Sequence, residues 1–350
     1  MQEPTPEVLR VFEKIAQTHI PFDSDKEYDI NSSNKVKAIL EELKEIKEKY
    51  GKQIDYFTDN TLGIIVANSF KEKNIDGLKE KLNDINLVLD SHIDLIKLFN
   101  TDNNLKLDIN GNKVIGALDN TITNAILLNI LKQKNLENDT LILFSIGEEH
   151  YCNGKKRNCD INVDAYCNDV DCRSFEEENG ACKLAEIIEQ KDKQKKIRVI
   201  NLDVTGKAYH KLHDNKDNLF DNCSYAAFIE YDPIPNTEEE DNNYAKTKNE
   251  EYGEEDNNPA KIKKKRYGTL EKFKVFKKNF NEHVAFCGYN KGTGDNLEEY
   301  QEKGIFGITF GLSTSKKIHS MNNYTTKDKI EKYIELLKQL IEEIKKVDLD

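Results

Sequence analysis

No stretch of this 350-residue sequence approaches the roughly 18 consecutive apolar residues of a membrane-spanning helix. The opening "MQEPTPEVLRVF" lacks the basic segment and following apolar run of a signal peptide, so the expectation is a soluble, cytoplasmic protein with no membrane partner. An excess of basic residues is missing too. Lys and Arg number 52 against 64 Asp and Glu, a net charge of −12, and a nucleic-acid surface needs clustered cations to neutralise phosphates. Cys-x-x-Cys pairs are absent. Seven cysteines, an odd number, fit a reduced compartment better than a disulfide framework. Five of them, Cys152, Cys159, Cys167, Cys172 and Cys182, fall close together, but without paired spacing they do not make a structural zinc ribbon. Hydrophobic content is low, 37% against 33% charged, which implies long solvated helices and at least one disordered insertion.

What is present alternates between two periodicities. Residues 6–17 and 33–50 carry helical apolar spacing, the second with Glu/Lys partners along a solvated face. "DYFTDNTLGIIVANS" (55–69) reads as two short strands around a turn, and "NIDGLKEKL" as a helix leading to a strand at 85–90. Asn-Gly-Asn within 104–120 predicts a hairpin, followed by a helix in "TITNAILLNILKQK". Further strands are expected at 139–150, 197–206 and 225–232, a helix at 181–191, a last strand at 304–313 and a closing amphipathic helix at 327–347. Residues 233–266, an acidic Asn-rich run ending in "KIKKKR", read as a flexible low-complexity insertion whose basic end is a solvated loop. Alternating strands and helices, with several strands apolar throughout, imply an α/β fold in which helices cover both faces of one sheet.

In such sheets sites form beyond the carboxyl ends of the strands. The strand 85–90 stops at His92 and Asp94; Asp119 follows the hairpin and precedes a helix; the strand from 139 stops at Glu148 and Glu149; the strand from 197 stops at Asp203; the last strand is followed by His319. Each has an innocent reading. His92 could be a satisfied structural histidine, Asp119 a helix cap, Glu148–Glu149 a surface pair, Asp203 a turn residue, and His319 part of an exposed loop. Five such accidents at successive strand ends are the less economical account. Two histidines and three carboxylates suit a pair of divalent ions such as zinc, with one carboxylate bridging. Glu149 would reach a metal while Glu148 faces the bridging water as general base, and Asp94 would orient the His92 imidazole.

These residues resemble the co-catalytic zinc exopeptidases, which include leucyl and glutamyl aminopeptidases and the carboxypeptidase-G-like hydrolases. "DSHIDLI" is similar to their His-x-Asp motif, "GALDNTITNAILL" to their Asp-Asn helix start, and "FSIGEEH" to their Glu-Glu motif. "INLDVTG" is similar to their aspartate strand, and "KIHSMNNYTTKDKIEKYIELLKQLI" to their final His-Ser and closing helix. The likeness runs from about residue 30 to 347. It implies a three-layer α/β/α sandwich with a central mixed, mostly parallel sheet. It further implies one metal on His92 and Asp203, the other on Glu149 and His319, Asp119 bridging through a cis Asp119–Asn120 peptide, Glu148 as base and Asp94 as orienter. Neither lid of the known branches has room, so residues 1–350 are expected to form a single catalytic domain. Two departures bear on substrate. "NKGTGDNLEEY" (290–300) resembles a substrate loop but carries an extra Gly294, and Asn323 stands where a glutamate is frequent.

The leading functional expectation is therefore an aminopeptidase using two divalent ions, zinc or else cobalt or manganese, on a peptide or aminoacyl substrate. A carboxypeptidase or N-acyl-amino-acid deacylase keeps the metals and changes the substrate. A third reading, a non-catalytic interaction protein on the same fold, sits poorly with an intact Glu148. Oligomerisation is possible but not indicated.

Overall fold

The computed structural model describes residues 6–16, 30–94, 108–147, 179–194, 196–205, 226–231, 280, 284–289, 296–314, 323–347 and 349. The Asp59–Thr61 turn, where the Asp59 carboxylate accepts from the Thr61 and Leu62 amides at 2.9 and 3.0 Å, folds β1 (Asp55–Asp59) antiparallel onto β2 (Gly63–Ala67). The other strands of the main sheet are β3 (Leu87–Asp90), β6 (Thr140–Ser145), β7 (Arg198–Thr205), β8 (Ala226–Tyr231), β9 (Val284–Tyr289) and β10 (Phe306–Ser313). They assemble in the order β1-β2-β6-β3-β7-β10-β8-β9. The centre is parallel, from β6 through β3 and β7 to β10, and β8 and β9 pair parallel to each other; β1/β2, β2/β6 and β8/β10 are antiparallel. The sheet is mixed and mostly parallel, as the resemblance implies.

Both faces are covered, which explains why the central strands are apolar without alternation. Along β6, Ile142 and Phe144 enter one core layer and Leu141 and Leu143 the other. In β3, Leu87 and Leu89 face the first layer and Val88 the second. The first layer is closed by α1 (Glu7–Ala16), α2 (Asn34–Glu48), α4 (Thr121–Gln133) and the closing helix α7 (Lys327–Ile344). The second is closed by α3 (Ile75–Lys81), α5 (Gly180–Gln190) and α6 (Asn296–Glu302). Four of these helices start on a side-chain cap: Ser33, Asn74, Asn179 and Thr326 accept a backbone N–H of the first turn of α2, α3, α5 and α7. Helix α7 buries Ile330, Tyr333, Leu336, Leu337, Leu340 and Ile344, a stripe at helical spacing.

Three elements depart from the sequence reading. The hairpin of β4 (Asp108–Asn110) and β5 (Lys113–Ile115), with Gly111 at φ +61°, is extended by β11 (Tyr324–Thr326) into a second, three-stranded sheet. Strand β10 is therefore not the last. Three residues are too few to show a period, and their pairing is set across more than 200 positions of sequence. Residues 296–300, read as part of a loop, belong to α6. Strand β9, at the edge of the main sheet, has no counterpart in the sequence reading, whereas β7 lies within the expected 197–206 and runs through Asp203 to Thr205 with β10 alongside it. Residues 233–266 and Cys152, Cys159, Cys167 and Cys172 lie outside the described residues. Cys182 sits in α5, where burial and then the nearby Glu299 carboxylate push its thiol up to about 12. Among the described residues no helix is long and apolar enough to cross a membrane.

Candidate metal site

Parallel pairing brings the first two residues of the site together. Leu89 stands opposite Ile200 and Asp90 opposite Asn201. Two further steps of the same register set His92 beside Asp203. The pairing is prolonged beyond β3 on its other side, where the Ser91 N–H donates to Leu143 O at 3.0 Å and the Ile93 N–H to Ser145 O at 2.8 Å. His92 thus leaves the sheet from a backbone that is still hydrogen-bonded.

Asp119 comes from the turn between β5 and α4. Its neighbour Asn120 occupies the position before the helix, where Asn ordinarily caps the first turn, yet makes no side-chain cap bond. Instead the Asn120 amide donates to Leu202 O at 2.7 Å, one residue before Asp203, and its carbonyl oxygens accept from the Thr123 hydroxyl. The capping reading of this segment is thereby replaced by a bond that docks it onto β7. The Asp119–Asn120 peptide is cis. From the same helix, Asn124 donates to His92 O at 2.9 Å and accepts from the Ser91 hydroxyl at 2.8 Å. The polar residues Thr123 and Asn124, buried in α4, were not singled out in the sequence. No local pattern marks them, because partners distant in the sequence satisfy them.

The result is a cluster whose members are nearly solvent-free: His92 is 2% exposed, Asp94 and Asp119 3%, and Asp203 5%. His92 Nε2 lies 3.2 Å from Asp119 Oδ1 and 4.0 Å from Asp203 Oδ1. On the other side of the ring, Nδ1 lies 3.3 Å from the Asp94 carbonyl oxygen and 3.6 Å from its Oδ1. A carbonyl only accepts, so that contact puts a proton on Nδ1 and leaves Nε2 facing Asp119 and Asp203. A bound cation would take the Nε2 lone pair and the two carboxylates together; without one, a second ring proton would bridge Nε2 to Asp119.

That supplies a test of fit. One imidazole nitrogen and two carboxylate oxygens lie within 4.8 Å of one another. Ligand bonds of about 2.1 Å in tetrahedral array put neighbouring donors about 3.4 Å apart, between the two observed spacings. Buried carboxylates cost several kcal/mol each when uncompensated, and a divalent ion offsets that cost. The donor set fits the metal. Two other groups shape the field. Lys35, fully buried, donates to Thr121 Oγ1 at 3.0 Å at the start of α4. Tyr333 donates to Phe310 O at 2.6 Å, and burial, then the charge of Asp203, raise its phenol well above the ordinary value.

Of the sequence-predicted site residues, His92, Asp94, Asp119 and Asp203 are thus brought together. Glu148, Glu149 and His319 lie outside the described residues, as does the segment 290–295. The chain can be followed to Gly147, whose φ of +83° requires glycine, at the exit of β6 immediately before Glu148. Asn323 is buried, and its carbonyl accepts from the Gly116 N–H at 3.0 Å. It serves the junction of β5 and β11.

No protein-family model and no curated protein matches the chain. Solved structures do. The aminopeptidase PepT from Bacillus cereus is 11% identical and superposes over 97% of this chain and 98% of its own, with a TM-score of 0.51. An aminopeptidase from the archaeon Desulfurococcus kamchatkensis is 9% identical over 96% of this chain and 94% of its own, also with a TM-score of 0.51. At these identities the likeness is one of fold: the chain has the α/β fold of these aminopeptidases over nearly its whole length.

Proposed function

We propose that the protein is a metal-dependent aminopeptidase that removes residues from the N-termini of peptides. The observation that carries this reading is the buried triad of His92, Asp119 and Asp203, with donor atoms at metal-ligand spacing on the fold of known aminopeptidases. His92 through Nε2 and Asp203 would hold one divalent ion, with zinc the best match to an imidazole–carboxylate set. Glu149 and His319 would hold a second, and Asp119 would supply carboxylate oxygen to the pair. When bound, the ions polarise the substrate carbonyl and lower the pKa of the attacking water.

The remaining work falls to the protein. Asp94 keeps the proton on Nδ1 of His92 and so fixes the tautomer that presents Nε2. Glu148 takes a proton from the water as its oxygen bonds to the carbonyl carbon, then delivers it to the nitrogen as the carbon–nitrogen bond breaks. The released amine leaves neutral, and the cleaved residue carries a carboxylic acid that holds the water's second proton and loses it to solvent. Residues 1–350 act as one catalytic domain, with no lid between His92 and Asp119.

The test is hydrolysis of a free-amine dipeptide and its N-acetylated counterpart by zinc-loaded protein, with and without chelator. Cleavage of the free-amine substrate alone, abolished by chelation and restored by zinc, cobalt or manganese, is the expected result. Cleavage of N-blocked substrates alone would transfer the site to a deacylase or carboxypeptidase. A metal-loaded protein inert on all of them would overturn the enzymatic reading.

A further inference from the structure

The same strand end holds a second buried polar cluster that the chemistry above does not use. Asp90, the last residue of β3, is fully buried. Its Oδ1 accepts from the Ser145 hydroxyl at 2.6 Å, and its Oδ2 accepts from the Tyr300 hydroxyl at 2.9 Å and the Asn296 amide at 3.3 Å. Asn296 donates also to Ser145 Oγ at 2.7 Å, and its own Oδ1 accepts from the Asn179 amide at 3.2 Å. Asn179 in turn accepts from the Ala181 N–H at 2.8 Å as the cap of α5. Burial, then the Asp90 charge, raise the Tyr300 phenol well above its ordinary value, so it stays a donor.

This cluster ties four chain segments at one point: the ends of β3 and β6, and the starts of α5 and α6. Ser145 is doubly engaged, its hydroxyl on Asp90 and its carbonyl on the Ile93 N–H. His92 therefore leaves the sheet between two clamps, Asp90 and Ser145 on one face and Ser91, Thr123 and Asn124 on the other. A buried carboxylate is an expensive way to hold a strand end, since apolar packing there would avoid its desolvation. What it supplies, and a leucine would not, is a fixed direction and register for the two strands that carry His92 and lead to Glu148 and Glu149.

Resting on the metallopeptidase reading, we infer that Asp90 is a positioning residue for the metal site, acting through Ser145 and the strand backbones rather than by contact with metal or substrate. In D90N the amide oxygen keeps Tyr300 and Asn296, and the amide N–H donates to a rotated Ser145 hydroxyl, so most of the clamp survives. In D90A it is lost.

The experiment titrates cobalt into the apo forms of full-length wild type, D90A, D90N and L78A. Dissociation constants and the visible cobalt spectrum are read, together with kcat and KM. Leu78, buried in the same layer on α3, supplies a control that loosens the core away from the strand ends. Removing groups that orient metal ligands costs 10- to 100-fold in affinity. D90A should therefore bind cobalt at least about 10-fold more weakly, with an altered spectrum and a lowered kcat at a KM within about threefold. D90N should stay within about threefold of wild type on every readout, and folded L78A should bind as wild type. Unchanged affinity and spectrum in D90A, or equal losses in D90A and L78A, would overturn this inference alone. Failure of the wild type to bind cobalt would overturn the metal site and the inference with it.

Discussion

At the residue scale the site gathers two buried carboxylates around one imidazole nitrogen, an arrangement that a bound cation would relieve. Asp119 and Asp203 approach the same imidazole nitrogen with almost no access to water. D119N should consequently stabilise the metal-free protein by about 1–3 kcal/mol while abolishing the stabilisation that zinc gives the wild type. Thermal melts of both proteins with and without zinc check the two halves separately. Asn120 offers the complementary case. Its amide bond to Leu202 O and its contact with Thr123 are both buried, so N120A should cost about 2–3 kcal/mol. It should also weaken zinc binding, because the segment bearing Asp119 loses its hold on β7. His92, Asp94, Asp119 and Asp203 were legible in the sequence because each stands at the end of an apolar run. Asp90, Thr123 and Asn124 were not singled out, because a buried polar side chain is recognisable only once its partner, here 32 to 210 positions away, is known.

Elements were easier to read where one periodicity ran long enough to dominate. Helix α7 and its stripe of six buried residues follow from spacing alone. So does α1, whose Phe12 enters the core at 1% exposure. F12A should cost about 3–5 kcal/mol in denaturant unfolding, a value that an accessory helix outside the core would not give. Strand β11 and the helical start at Asn296 were missed for the opposite reason: three residues, or a polar first turn, carry little periodicity, and pairing across the sequence decides them. The closing helix is also fixed electrostatically. Lys345, just past the end of α7, lies 2.7 Å from both Glu137 and Asp139, and Lys134 bonds Glu137 at 2.7 Å. Hydrogen bonds from Lys134 and Lys345 hold the Glu137 carboxyl down at about 2. A depressed folded-state value means its contribution is complete above the ordinary value of 4.5 and is lost as pH falls from there through about 2. Since Glu137 is partly exposed, E137Q should cost no more than roughly 1 kcal/mol at pH 7, a cost that shrinks as pH falls from the ordinary value toward about 2. Urea titrations across that range check the convergence.

For the whole molecule, the sheet acts as a frame that gathers distant positions onto one end. Residues 92, 119 and 203 meet because β3 and β7 are parallel neighbours and α4 begins beside them. The parallel centre and two covered faces were foreseeable from apolar strands without alternation, whereas the strand order was not, since it depends on crossovers that composition does not record. Because ions bound to the folded state draw the equilibrium toward it, zinc at about 1,000 times its dissociation constant should add about 4 kcal/mol of stability, and a chelator should remove it. Calorimetry with a zinc series would show the corresponding rise of melting temperature. The central claim is tested most directly by a crystal structure of zinc-loaded protein with anomalous data at the zinc edge. The account predicts two peaks about 3.5–4 Å apart, one between His92 Nε2 and Asp203, the other on Glu149 and His319, with Asp119 between them. Anomalous maps without a peak at His92, Asp119 and Asp203, in crystals grown with zinc in excess, would contradict it.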